Sequence, residues 1–307
     1  MSRTLAQLPV LGVGASLSLA ATPDPVALVA AEPGPSFVEY AGLADVDAVV
    51  EEVDRIRAAG APVLFHPSYI NFCGSFENDP AWLATTAAHI ERVGSPWFAQ
   101  DCAYCFWEHG AGYSSQFGYF IPPLLNRASL DRAVERVREV QAAVPVPVAI
   151  EPPPVTFVAG TMAVFEFFGE LAERADCALL LDMGHLVSYE MATGRPVTDA
   201  LAALPVERVI ELHIAGGELR PGDAGSGDAG SVSAGPVYID AHEQTILAET
   251  WEMLARMLPH LPEVKAICFE CEGVAANTVL TTLARLRREV RARSVSAGLK
   301  AHLELPA

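Results

Sequence analysis

Positive charge is scarce in this sequence. Lys and Arg number 20 against 38 Asp and Glu, a formal net charge of −18. A field of that sign repels phosphate backbones, which argues against nucleic acid and anionic membrane surfaces as partners. Long apolar runs are also missing, since no segment reaches the ~20 apolar residues that spanning a bilayer requires. The stretch Leu8 to Ala21 is apolar and follows Arg3, the outline of a signal peptide. Pro9, Gly12, Gly14, Ser16 and Ser18 interrupt it, so a buried first strand is the better account. Six cysteines in 307 residues exclude a disulfide-dense secreted scaffold and make a reducing cytoplasm the expected compartment. There is no internal repeat at a fixed period, and no G-x-G-x-x-G loop follows the first strand, which weakens an open, doubly wound nucleotide-binding sheet.

What remains is the composition of a globular protein with a sizeable core, 51% apolar and 19% charged. Short β-rich runs alternate with longer helical patterns. The strand candidates are Leu11 to Leu17, Phe37 to Tyr40, Val63 to His66, Trp97 to Asp101, Val146 to Glu151, Cys177 to Asp182, Arg208 to Ile214 and Ala266 to Glu270. Between them, Asp45 to Ala59, Leu130 to Ala142, Ala163 to Ala175, Val197 to Leu204, Ala248 to Met257 and Asn277 to Arg293 carry apolar residues at helical spacing. Strand then helix, repeated about eight times, predicts a (β/α)8 TIM barrel, formed by residues 1–307 as a single domain. Long loops at about 105–127 and 216–235 follow the fourth and seventh strands, on the face where barrels carry their active sites. The basic run Arg285 to Arg293 lies on an amphipathic helix and reads as a solvated face.

The ends of the strands carry the chemistry. Glu39, His66, Asp101 with Cys102, Glu151, Asp182 with His185, His213 and Glu270 stand at or just past successive strand ends, and Asp240-Ala-His242 precedes the eighth. A barrel brings such termini into one pocket. Crowded carboxylates repel and take up protons, and buried imidazoles lose solvation, unless cations sit among them. Mixed imidazole and carboxylate ligands suit iron, zinc or manganese better than magnesium or calcium. Asp240 and His242, two apart, would share one face of an extended strand and chelate one ion. Two CxxC spacings, Cys102 to Cys105 and Cys268 to Cys271, could suggest a thiolate site, but side chains three apart on a strand point to opposite faces. His89, His260 and His302 read as ordinary, and His109 stays open because it lies in the loop after the fourth strand.

The order of these motifs resembles the multinuclear non-heme iron-dependent oxidative enzymes, the family of the methanobactin-biosynthesis oxidase. The stretches that carry the resemblance are Phe37-Val-Glu-Tyr, Val63-Leu-Phe-His66, Arg136-Val-Arg-Glu-Val-Gln141, Leu179-Leu-Leu-Asp182, Glu211-Leu-His-Ile-Ala-Gly216, Tyr238-Ile-Asp-Ala-His242 and Ile267-Cys-Phe-Glu270. It implies a barrel with two or three iron ions and O₂ as co-substrate. It further implies oxidation of a cysteine-containing, ribosomally made peptide or another small thiol, helped by a leader-peptide-binding partner protein. By position it makes His66, Glu151, Asp182, His213, Asp240, His242 and Glu270 metal ligands, with His185 and Cys102 as further candidates. In that reading Glu151, Asp182, His213 and Glu270 hold one ion, and His185, Asp240 and His242 another.

This sequence departs from the family pattern in several places. The first strand offers no His, the acid-His pair after the fourth is Asp101-Cys102, the fifth carries Glu151-Pro152, and His185 stands where the family has Asn. Asp182-x-x-His185 is closer to the wider xylose-isomerase-like barrels, including the endonuclease IV type. A divalent-metal hydrolase or isomerase is therefore the alternative, with Glu39 or Asp101 as general base. A sugar isomerase would need a lysine near the metals, and no strand end supplies one. A metal-free barrel that only binds a partner is the non-enzymatic alternative.

Overall fold

The computed structural model describes residues 5–19, 22–42, 46–106, 116–221, 236–293 and 297–304. Eight parallel strands close into a barrel: β1 (Gly12–Ser16), β2 (Val38–Tyr40), β3 (Val63–Phe65), β4 (Phe98–Asp101), β7 (Val148–Glu151), β8 (Ala178–Asp182), β9 (Val209–Ala215) and β12 (Ala266–Glu270). Every strand runs within one of the segments expected from the sequence, or within a residue of it. The apolar stretch at the start is β1, paired with β12 on one side and β2 on the other. The remaining strands form two antiparallel hairpins, β5 (Tyr104–Phe106) with β6 (Gln116–Ile121), and β10 (Gly217–Arg220) with β11 (Val237–Asp240). They occupy the segments read as long loops. Their tips, 107–115 and 222–235, lie outside the described residues, and His109 with them.

The helices are α1 (Pro25–Val29), α2 (Val50–Ala58), α3 (Pro80–Val93), α4 (Arg127–Ala143), α5 (Val164–Ala175), α6 (Met183–Thr193), α7 (Ala248–Met257), α8 (Ala276–Ala292) and α9 (Ala297–Glu304). Their ends follow capping chemistry. Asp79 accepts from the Ala81 N–H at the start of α3, Asn126 from Ser129 at α4, and Asp182 from His185 at α6. Gly94 and Gly194 close α3 and α6 in the left-handed region. Residues Val197–Ala203, expected as a helix, form a kinked 3-10 segment instead. Pro196 and Pro205 bracket it, and the backbone breaks at Ala200, whose φ of −104° and ψ of 15° are not helical. Periodicity gives no sign of α6, because Met183 through Tyr189 are all buried and no polar stripe marks a solvent face.

Two apolar clusters result. One lies between the strands and the helices. The other fills the barrel interior with Leu11, Phe37, Leu64, Trp97, Ala99, Ala149, Ala178, Leu180, Ile210, Ala266 and Cys268. Inward residues recur every second position along a strand. Two residues past Phe37, Leu64, Ala99, Ala149, Leu180 and Cys268 stand Glu39, His66, Asp101, Glu151, Asp182 and Glu270. The interior is thus apolar toward its N-terminal end and acidic and imidazole-bearing toward its C-terminal mouth. A register irregularity opposite Leu179 and Leu180 lets β9 turn both Ile210 and Glu211 inward, which sets His213 in the same polar layer.

Gly14 shows how tightly the apolar layer is filled, because a Cβ there would collide with the ring of Phe37, itself fully buried. A Gly14→Ala substitution overpacks this layer and should lower unfolding stability by about 1–3 kcal/mol. Urea denaturation measures it, and an unchanged midpoint would show that the ring can give way.

Candidate metal centre

The strand ends bring the polar side chains together as the sequence suggested. Around His213, Glu39 Oε2 lies 3.3 Å from Nε2 and Glu270 Oε1 3.3 Å from Nδ1. His66 Nε2 is 3.5 Å from Glu151 Oε2 and 3.8 Å from Asp101 Oδ2, and its Nδ1 is 4.0 Å from Glu39 Oε2. His185 projects from the first turn of α6, with Nδ1 3.1 Å from Glu151 Oε1 and Nε2 3.2 Å from Asp240 Oδ2. His242 Nε2 faces Asp240 Oδ2 at 3.5 Å and Glu270 Oε2 at 3.7 Å.

These atoms are close, yet most do not bond to one another. Glu39 Oε2, His66 Nδ1, Asp101 Oδ1, Glu151 Oε1, Asp182 Oδ2, both ring nitrogens of His213, Asp240 Oδ1 and Glu270 Oε2 are buried without a hydrogen-bond partner. Buried polar atoms are almost always satisfied, so this many orphans in one place indicates a missing common partner. Three sets, each of three ligand atoms lying mutually within 4.8 Å, are Glu39 with His66 and His213, His66 with Asp101 and Glu151, and Glu151 with Asp182 and His185. Shared members link the three into one chain of sites. The donor set, carboxylate and imidazole without thiolate, is one that binds iron, zinc or manganese.

The grouping differs from the expected partition. Glu151 joins Asp182 and His185, not His213 and Glu270. Glu39 and Asp101, offered as general bases, stand inside the ligand sets. Asp240, His242 and Glu270 form a fourth set of contacts on the rim. Asp240 and His242 do not share a strand face, since β11 ends at Asp240 and His242 takes a left-handed backbone with φ of 48°. A turn, not a strand, aims the imidazole back at Asp240. Cys102 is fully buried among apolar residues and belongs to none of the three sets. Cys268 Sγ instead meets Glu39 Oε1 at 3.5 Å, and Cys271 Sγ meets the Ser16 carbonyl at 3.3 Å, so this CxxC pair does not converge. His89, read as ordinary, stacks on Phe65 at 4.1 Å in the layer outside the barrel.

Two carboxylates were not anticipated. Glu211 is fully buried beneath His213, with Oε1 3.6 Å from Nε2 and Oε2 accepting from Trp97 Nε1 at 2.6 Å. Glu272 accepts from His242 Nδ1 at 2.6 Å. Each is two residues from a candidate ligand, Glu211 before His213 and Glu272 after Glu270, and that spacing is the signal that could have found them.

Residues 27–292 match the family described as RiPP precursor modification enzyme MbnB/TglH/ChrH. The chain belongs to this family. Among curated relatives, a UPF0276 protein of Streptomyces avermitilis is 33% identical over 177 residues, covering 56% of this chain and 36% of that protein. A UPF0276 protein of an Anaeromyxobacter species is 25% identical over 81% of both chains. The chain thus spans about a third of the first relative's length and four-fifths of the second's. Solved structures with the same fold include endonuclease IV from Thermus thermophilus, at 18% identity and TM-score 0.54 over 90% of this chain and 99% of that one. A xylose isomerase domain protein from Planctomyces limnophilus follows at 12% and 0.53, over 92% and 99%. These likenesses show the TIM-barrel fold. No described helix is long and apolar enough to cross a membrane.

Electrostatics show what the cluster does without ions. Burial works against charge on every member, and the carboxylates overcome it at the histidines. Asp101, Glu39 and Glu151 push His66 up to about 9, and Glu270, Asp240 and Glu272 push His242 up to about 12. His185 and His213 also stand well above the ordinary imidazole value. Burial, reinforced by Asp101, raises Glu151 to about 8, and burial raises Asp182 to about 6. Against their burial, His213 and His242 hold Glu270 down to about 2, and His185 and His242 hold Asp240 well below the carboxylate range. Protons therefore stand in for cations.

Because folding raises His66 from 6.5 to about 9, its contribution to metal-free stability is complete below about pH 6.5 and is lost as pH rises through 9. The raised carboxyl of Glu151 acts in the same direction between 4.5 and about 8. Metal ions displace these protons, so their affinity rises over the same interval. Chelator-treated protein should lose melting temperature between pH 6.5 and 9, while the increment given by added zinc should grow. Parallel pH profiles with and without metal would contradict this.

Proposed function

We propose that this RiPP precursor modification enzyme is a multinuclear non-heme iron-dependent oxidase that uses O₂ to modify a cysteine-containing precursor peptide. The observation that carries the proposal is the chain of orphaned imidazole and carboxylate atoms at the barrel mouth, in a family that modifies precursor peptides. Iron bound there would supply redox chemistry with O₂ and a Lewis-acidic position for a substrate thiolate.

The residues of the chain divide that work. Glu39, His66 and His213 would hold one ion deep in the mouth, and Glu151, Asp182 and His185 a second. His66, Asp101 and Glu151 lie between these sets and could share or add an ion. His242 is the most solvent-accessible of the four histidines, with its side chain 30% exposed. The rim set Asp240, His242 and Glu270 therefore lies on the side from which a peptide can approach. The hairpins β5–β6 and β10–β11 emerge directly after β4 and β9 and would form walls along the peptide's path. The acidic surface suits a peptide substrate and a leader-binding partner protein better than a nucleic acid.

Iron-loaded protein prepared without oxygen should consume O₂ when given a cysteine-bearing precursor peptide encoded by a neighbouring gene, and should change the peptide's mass. Glu151→Ala and His213→Ala should each lower the rate by about 10²–10³-fold and reduce iron content, as expected when several kcal/mol of metal-derived stabilisation is lost. Zinc at full occupancy, hydrolytic turnover and no O₂ uptake would overturn the oxidase reading in favour of a hydrolase.

A further inference from the structure

At the mouth of the barrel the ring of His242 is oriented by a carboxylate from outside the ligand groups. His242 lies on the short segment between β11 and α7 and projects over the metal centre. Its Nε2 faces Asp240 and Glu270, while its Nδ1–H donates to Glu272 Oε2 at 2.6 Å. Glu272 in turn accepts from the Ser16 hydroxyl at the end of β1, and Ser16 is buried. The same Ser16 carbonyl accepts from the Cys271 N–H at 3.2 Å, which fixes the backbone next to Glu272.

The segment carrying His242 is held as firmly as the side chain. His242 takes a left-handed backbone, φ 48°, which few residues with a side chain adopt unless their surroundings impose it. The Glu243 N–H donates to the Gly216 carbonyl at 2.9 Å, and a Cβ on Gly216 would collide with the Glu243 backbone. Gln244 bridges to the loop after β12, donating to the Gly273 carbonyl at 3.3 Å and accepting from the Ala275 N–H at 3.1 Å. The Gln244 amide and the His242–Glu272 hydrogen bond therefore join the His242 turn to the Glu272 loop, and the Glu243–Gly216 bond ties it to the end of β9.

From this geometry we infer that Glu272, braced by Ser16, is the positioning residue for His242. It fixes the Nδ1–H tautomer and turns Nε2 toward Asp240 and Glu270, and so controls the rim position at which Asp240, His242 and Glu270 would hold an ion. A carboxylate behind a ligating imidazole raises its basicity and locks its ring, and loss of such a partner weakens metal affinity by roughly 10–100-fold. The inference rests on the metal reading of the proposed function and goes beyond it by naming the group that controls one site separately from the others. Glu272 is only partly buried, its side chain 24% exposed, so removing it leaves no sealed cavity.

The test is competitive chelator titration of zinc alone into the full-length wild type and into Glu272→Ala, Glu272→Gln, Ser16→Ala and His242→Ala. His242→Ala identifies the ion that depends on the rim. Glu272→Ala should weaken that ion roughly 10–100-fold and leave the others within about twofold. Glu272→Gln, which keeps a neutral acceptor, should recover most of the loss, and Ser16→Ala should give a smaller loss than Glu272→Ala. Nitrogen-15 NMR of the zinc-loaded protein should show His242 protonated at Nδ1 in the wild type and in Glu272→Gln, with that signature lost in Glu272→Ala. Unchanged affinity in Glu272→Ala, or equal weakening of every ion, would overturn the inference while leaving the metal reading intact. A wild type that binds no zinc removes the metal reading and this inference with it.

Discussion

The structure depends on one constraint: imidazole and carboxylate atoms are packed against each other in a buried mouth with too few hydrogen bonds among them. An uncompensated buried charge costs several kcal/mol even after relaxation. Glu39, Glu151, Asp182, Asp240 and Glu270 cannot all be anionic side by side without cations. Protonated His66, His185, His213 and His242 are the only cations paired with them among the described residues. The raised values of both the histidines and Glu151 express this need. Metal ions answer it better than protons, because each ion satisfies several lone pairs at once.

The barrel makes the constraint possible. Period-two alternation puts an apolar residue and then a polar one on the inner face of successive strands, so packing below and chemistry above come from the same sequence pattern. The apolar layer around Phe37, Trp97 and Leu180 fixes the strand positions, and rigid strand ends fix the ligands. Asp182 joins the two levels, since one oxygen caps α6 through the His185 N–H while the other is left facing the centre. Helix initiation and ligand placement are thus a single structural event. Glu211, tied to Trp97, links His213 to the apolar layer in the same manner.

Most of the fold was legible because barrel strands are short, buried and bounded by polar ends, which a single sequence displays directly. The candidate ligands were legible for the same reason, as most of them stand at or just past a strand end. What was hidden lacked periodicity or depended on distant pairing. Residues Met183–Tyr189 of α6 are buried on every face and show no amphipathic stripe, and Val197–Ala203 has the composition of a helix but kinks at Ala200. The hairpins had no short turn to mark them, since their tips are long. The partition of ligands into sets could not be read from order along the chain. It depends on which rings rotate toward which carboxylates, and His242 reaches its place through a left-handed turn that no residue type announces.

Anomalous diffraction from crystals grown with iron, or with zinc in its place, addresses the central claim most directly. The account predicts at least two peaks at the barrel mouth, within bonding distance, about 2.0–2.3 Å, of atoms from Glu39, His66 and His213 and from Glu151, Asp182 and His185. A well-ordered mouth with these side chains in place and no peak among them would contradict it.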